Sequence, residues 1–192
     1  MTVLRATPPL DPPFCARLGT GQAVQIERIG PDTPRRQTGD AELSELRALI
    51  GSLLTLNPLA AEAHGINLPT AWLATAAGDS LGTELGIAWW TPLPWHRLTA
   101  IAEVKLGPEM AATGLGRLLL DLVVMSATER GVEWLQVRIP EDATELAQAV
   151  ATLRGRALSP EDGANRFEIP LGARSRRFHR SGVHHPVRRA TA

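Results

Sequence analysis

Residues Leu106–Leu120 read LGPEMAATGLGRLLL, and the interpretation of this stretch decides the fold. An apolar run with strand character, Leu98 to Leu106, leads into it. Gly114 and Gly116 follow in a loop, and then Leu118, Leu119 and Leu122 recur at helical spacing. Glycines between a strand and a helix N-terminus build an anion site. The first amides of a helix have no partner inside it, and the helix dipole favours negative charge there. Such a junction suits a pyrophosphate.

Two kinds of glycine loop are excluded by residue type. A dinucleotide-binding loop needs a third small residue three positions after its second glycine; here that position is Leu119. A mononucleotide P-loop needs Gly-Lys-Ser/Thr. Here Gly116 is followed by Arg117 and Leu118, so neither the phosphate-binding lysine nor the magnesium-binding hydroxyl is present.

The remaining pattern resembles the pyrophosphate loop of the GNAT superfamily of acyl-CoA-dependent N-acyltransferases. That pattern is an apolar strand end, Pro-Glu, then Arg/Gln-x-x-Gly-x-Gly/Ala and an apolar helix. The chain has Leu106, Pro108-Glu109, Ala111-Ala112-Thr113-Gly114-Leu115-Gly116, and then the leucine-rich helix. Every spacing fits. Two residue types depart from it: Ala111 stands where Arg or Gln is usual, and Ala112 where Gly is frequent.

Outward from the loop, the chain reads as one α/β unit. Gln22–Ile29 alternates as a first strand. Thr38-Gly39-Asp40 starts a helix with Leu43, Leu46, Ile50, Leu53 and Leu54 on one side and Glu45 and Arg47 exposed. Asn57-Pro58 ends it, and a short helix is expected over Leu59–His64. Thr70–Ala76 and Leu81–Trp90 form a hairpin around Gly78-Asp79-Ser80. Thr91–Trp95 interrupts before the strand Leu98–Leu106. The helix after the loop runs to about Arg130, closed by Gly131. A strand over Glu133–Ile139 follows, then a helix over Ala143–Leu153, and a last strand, Arg166–Leu171, paired with Ala157–Ser159. The resulting order, β, α, α, β, β, β, loop, α, β, α, β, β, is that of the GNAT fold over residues 22 to 171. The resemblance therefore implies an α/β (α+β) fold: a single mixed, mostly antiparallel sheet of about six to seven strands, flanked by helices on both faces.

Composition limits the function classes. Of 192 residues, 44% are hydrophobic and 21% charged, as in globular proteins. No apolar run has the roughly 18 residues a membrane span needs. Residues 1–21 are a Pro-rich extension without the apolar centre of a secretory signal, and a cytoplasmic location is the expectation. The single cysteine, Cys15, excludes an intrachain disulfide and a cysteine metal cluster; it is expected to be a partly buried small residue, and no metal is expected. Residues 172–192 hold six arginines, three histidines and no acid. With the total at zero, the preceding 171 residues carry −6. This basic tail reads as a flexible segment. Lys105 is the only lysine.

The resemblance implies the following roles. Loop amides from Ala111 and Ala112 through Thr113, Gly114, Leu115 and Gly116 bind the coenzyme A pyrophosphate, with Arg117 adding a charge-assisted bond. Leu106 ends the strand that splays from the next one and frees backbone groups for the pantetheine arm; the acyl group lies between these strands. Amine attack needs a base. Glu103 and His96 are the candidates, Glu103 on the strand entering the loop and His96 beside the Pro-Trp turn, where imidazole suits proton transfer near neutral pH. The family's acid on this strand is usual at the position of Ala100, and strand alternation puts Glu103 on the opposite face; the alternative for Glu103 is a strand residue paired with a neighbouring arginine. The tyrosine that commonly protonates the leaving thiolate falls at Ala151, the helix-start asparagine at Thr144, and the chain contains no tyrosine. Adjacent Trp89 and Trp90 must face opposite sides of a strand.

Three functional readings follow. The first is transfer from acetyl-CoA, or another acyl-CoA, to a small-molecule or protein amine, with a homodimer as one way of covering a tryptophan. The second is a degenerate member of the fold that binds acyl-CoA or a partner protein without turnover. The third, supported least, is nucleic-acid association through the tail, which lacks interleaved aromatics beyond Phe178.

Overall fold

A computed structural model of the chain describes residues 13–29, 41–54, 69–78, 83–93, 96–160 and 164–172. Among these, eight strands form one sheet: β1 (Phe14–Arg17), β2 (Ala23–Arg28), β3 (Thr70–Ala76), β4 (Glu84–Leu93), β5 (His96–Leu106), β6 (Trp134–Pro140), β7 (Arg156–Ala157) and β8 (Ala164–Pro170). Their spatial order is β1-β2-β3-β4-β5-β6-β8-β7. Only β5 and β6 are parallel; every other neighbouring pair is antiparallel. The helices are α1 (Ala41–Leu54), α2 (Leu115–Glu129) and α3 (Thr144–Thr152).

The expected mixed, mostly antiparallel sheet with helices on both faces is what the chain forms. One strand more than expected is present. Phe14–Arg17 falls within the stretch read as a Pro-rich extension, yet it pairs with Ala23–Ile26 through a turn at Gly21. Its side chains are alternately half-buried and exposed, with Phe14 and Ala16 packed against the α2-face core and Cys15 and Arg17 outward. Cys15, on the outer side of this strand, is exposed rather than partly buried. β4 also continues through Thr91 and Pro92, where an interruption was expected. Pro92 sits next to a register shift, and proline is tolerated in a strand at such an irregularity.

The two faces have separate cores. Leu115, Leu119, Leu120, Leu122 and Val123 of α2 and Leu146, Ala149 and Val150 of α3 pack on the inward-facing residues of β4 to β6. On the opposite face, Leu43 and Ile50 of α1 pack on Ala71, Leu73 and Ile87. Alternation divides the two tryptophans as expected. Trp90 is buried on the α2 face and donates Nε1–H to Ser126 Oγ at 3.1 Å, while Trp89 packs against the α1 cluster. Arg47, expected on the exposed side of α1, is buried instead. It lies four residues after Leu43, on the inward stripe, and its Nε is 2.7 Å from Glu84 Oε1 at the start of β4. The Leu59–His64 helix, Trp95, the Asp79-Ser80 turn and the basic tail lie outside the described residues.

Candidate functional site: the split between β5 and β6

Parallel pairing of β5 with β6 runs from Thr99↔Trp134 to Glu103↔Arg138 and stops there. β5 continues to Leu106 and stays paired with β4, ending at Gly86↔Leu106. The edge of Val104, Lys105 and Leu106 that faces β6 is therefore left without a strand partner. Register continued past Glu103 would bring Lys105 opposite Pro140, which has no N–H for a ladder. A cleft of about 290 Å³ occupies this gap. Leu106, Ala143 and Leu146 line it from the α3 side, and Lys105, Glu42 and Leu43 from the α1 side, so it passes through the plane of the sheet. Ala111 and Pro108 of the loop border it, as does Asp142 before α3.

The loop turns at the end of β5 through local hydrogen bonds. Gly107 N–H donates to Leu85 O at 2.9 Å, and Met110 N–H to Gly107 O at 2.9 Å, closing a 3-10 turn over Pro108–Met110. Met110 is buried beneath it. The Thr113 hydroxyl donates to Met110 O at 2.8 Å and accepts from Leu115 N–H at 3.3 Å. Gly114 caps α2 with φ +91°, in the left-handed region open to glycine. Gly116 answers a packing need: a Cβ there would lie 3.0 Å from Leu106 Cδ1 and 3.0 Å from Leu146 Cδ2. Ala112 also has positive φ, +60°. An alanine thus occupies a conformation that glycine adopts without strain.

After these bonds, the N–H groups of Ala111, Ala112, Gly114, Gly116 and Arg117 have no acceptor among the described residues. Donors left open at a helix N-terminus beside a cleft are the arrangement an anion site requires. The Arg117 guanidinium is exposed, with Nε 3.9 Å from Asp121 Oδ2, a pair weak enough to yield to a phosphate. Glu145, in the first turn of α3, stands close by; its Oε1 would lie 4.0 Å from a Cβ on Gly114.

The two candidate bases lie far apart. Glu103 occupies the last paired position before the split, on the face opposite α2, with Oε1 3.8 Å from Arg138 Nη1 across the strand. It therefore has the arginine neighbour that its alternative reading anticipates. His96 is exposed at the first position of β5, ten residues before Leu106, a strand length of roughly 33 Å. Neither His96 nor Glu103 lines the cleft. Ala151 is exposed near the end of α3, so no acid stands there.

The sequence reading gave no part in the cleft to its three charged residues, Glu42, Lys105 and Asp142. Lys105 Nζ contacts Glu42 Oε1 at 3.2 Å, linking β5 to α1 across the opening. Strand alternation puts Lys105 on the α1 face, but nothing local indicates a partner 63 residues away. Among the described residues, no group of three or more His, Cys, Asp or Glu could hold a metal ion, and no helix is long and apolar enough to cross a membrane.

No protein-family model and no curated protein matches the chain. Solved structures do. A cAMP-binding acyltransferase from Mycobacterium smegmatis aligns with a TM-score of 0.55 at 17% identity, over 84% of this chain and 48% of that one. The chain thus spans about half the length of that protein. The GNAT domain of S. lividans PAT aligns with a TM-score of 0.53 at 12% identity, over 83% of this chain and 97% of that domain. At these identities the likeness is one of fold, and the chain is a divergent representative of the GNAT fold.

Proposed function

We propose, from the premise that this chain has the GNAT fold, that it is an acyl-CoA-dependent N-acyltransferase. The observation that carries this reading is the set of unpartnered amides from Ala111 to Arg117, placed where the gap between β5 and β6 opens. A coenzyme A pyrophosphate on those amides would leave its pantetheine arm beside the free edge of Val104–Leu106, and the thioester within the gap. The donor is acetyl-CoA or another acyl-CoA, and the acceptor is an amine that enters from the α1 side.

In this reaction the amine nitrogen attacks the thioester carbonyl, the C–S bond breaks, and coenzyme A leaves as thiol. Glu103, the last paired residue before the split, is the proposed base that takes the amine proton, directly or through water. Arg138 Nη1 lies 3.8 Å from its Oε1 on the neighbouring strand. His96 stands too far along β5 for direct contact with the gap, so its part is confined to the acceptor side. With no tyrosine in the chain, the thiolate departs without a side-chain acid at the usual place.

That absence also supports a second reading, in which the fold binds acyl-CoA without turnover. Isothermal titration with acetyl-CoA tests what the two share: the account requires binding, and no heat at millimolar ligand rejects both. Thiol release across a panel of amines separates them. If release occurs, Glu103→Gln is expected to slow it about 100-fold, within the usual range for general-base removal. An unchanged rate would remove Glu103 from the mechanism.

A further inference from the structure

Lys105 is the only lysine in the chain, and it lines the cleft. The same cleft is bordered at its other end by Ala111, the first of the unpartnered loop amides. A thioester ligand anchored at that anion site therefore shares one compartment with a primary amine. Confinement of this kind turns a bimolecular reaction into an effectively intramolecular one. The amine is not locked away. Its partner is Glu42 Oε1 at 3.2 Å, and the two side chains are 37% and 74% exposed, so the contact is a weak surface pair that opens readily.

We infer that Lys105 is a self-acylation site, taking the acyl group from a thioester bound in the cleft; the inference rests on the acyl-CoA reading above. The ammonium first gives one proton to the Glu42 carboxylate and through it to water. The neutral Nζ then attacks the thioester carbonyl carbon. A C–N bond forms, the C–S bond breaks, and the second amine proton leaves with the sulfur as coenzyme A thiol. The product is an amide, which does not pass the acyl group on to another amine, so the modification is an end state. It removes the positive charge opposite Glu42 and places the acyl chain on the α1 side of the gap, where an acceptor enters. Self-acylation thereby closes the site to further acceptor.

The test incubates the full chain with rising concentrations of acetyl-CoA, measures binding by titration calorimetry, and reads Lys105 by peptide mass spectrometry. The expected result is one acetyl group on Lys105, formed at least about tenfold faster in the folded protein than in urea-unfolded protein. Its rate should saturate at the calorimetric midpoint and fall when free coenzyme A competes. Lys105→Arg should show no added acetyl mass. Binding without acetylation of Lys105 above the unfolded rate overturns this inference and leaves the acyl-CoA reading standing. Absence of binding overturns both.

Discussion

On its two sides, β5 meets very different neighbours. Toward β4, pairing is continuous from Pro92↔Ala100 to Gly86↔Leu106 and resumes at Leu93↔His96 after a register shift. That side is closed further by Trp90 under α2 and by the Arg47–Glu84 contact under α1. Toward β6, pairing ends at Glu103, and three residues of β5 open onto a cleft. The closed side holds the fold together; the open side leaves the β6-facing edge of Val104–Leu106 without a strand partner. Main-chain donors depend little on side-chain identity. The loop can therefore carry Ala111 and Ala112 in unusual places and still present its amides. Proton transfer depends wholly on side chains, and there the chain lacks a tyrosine.

The largest expected effect tests the closed side. Glu84→Ala leaves the buried Arg47 guanidinium without its carboxylate and should cost about 3–5 kcal/mol in urea unfolding. The double change Arg47→Met with Glu84→Leu should recover most of that, because a buried pair replaced by apolar residues is often neutral or better. Loss of acetyl-CoA binding in Glu84→Ala should follow the unfolded fraction only; a specific loss in the folded fraction would break the division between the two sides.

Next in size is Gly116→Val at the junction of the two sides. Its side chain would press on Leu106 and Leu146, both within 3.0 Å of the first added carbon. Overpacking of this kind costs about 1–3 kcal/mol. Because Leu106 and Leu146 also line the cleft, acetyl-CoA affinity should fall by about tenfold, or 1.4 kcal/mol. Unchanged affinity would mean that the cleft wall does not hold the ligand.

The smallest effect has the opposite sign. Ala112→Gly removes an alanine from φ +60°, where an L side chain costs about 1–2 kcal/mol. Greater backbone freedom in the unfolded chain offsets part of that gain. A net stabilisation of about 1 kcal/mol, or 2–4 °C in Tm for a chain of this size, is expected. A lower Tm would show that the loop is not held in this conformation.

The features legible in the sequence are those written in local spacing. The 3.6-residue period marked α2, Gly131 marked its end, the paired glycines marked the loop, and alternation separated Trp89 from Trp90. β1 was not legible, because only two of its four residues, Phe14 and Ala16, face the core, too short an alternation to stand out beside the preceding prolines. The course of β4 through Pro92 was hidden by proline's usual role as a breaker. Arg47 looked like a surface charge because its partner lies on another element. The cleft was legible only in part. The strand–loop–helix junction with its two glycines was legible, but the local bonds of the Thr113 and Leu115 amides were not, and the Lys105–Glu42 contact joins residues 63 apart and depends on where α1 crosses the sheet.

Hydrogen exchange at the loop amides tests the central claim most directly. Exchange is followed residue by residue, with and without saturating acetyl-CoA. The account predicts strong new protection at Ala111, Ala112, Gly114, Gly116 and Arg117, with little change at Leu115, whose N–H is already held by Thr113. Binding of acetyl-CoA with no added protection at these five amides would contradict it.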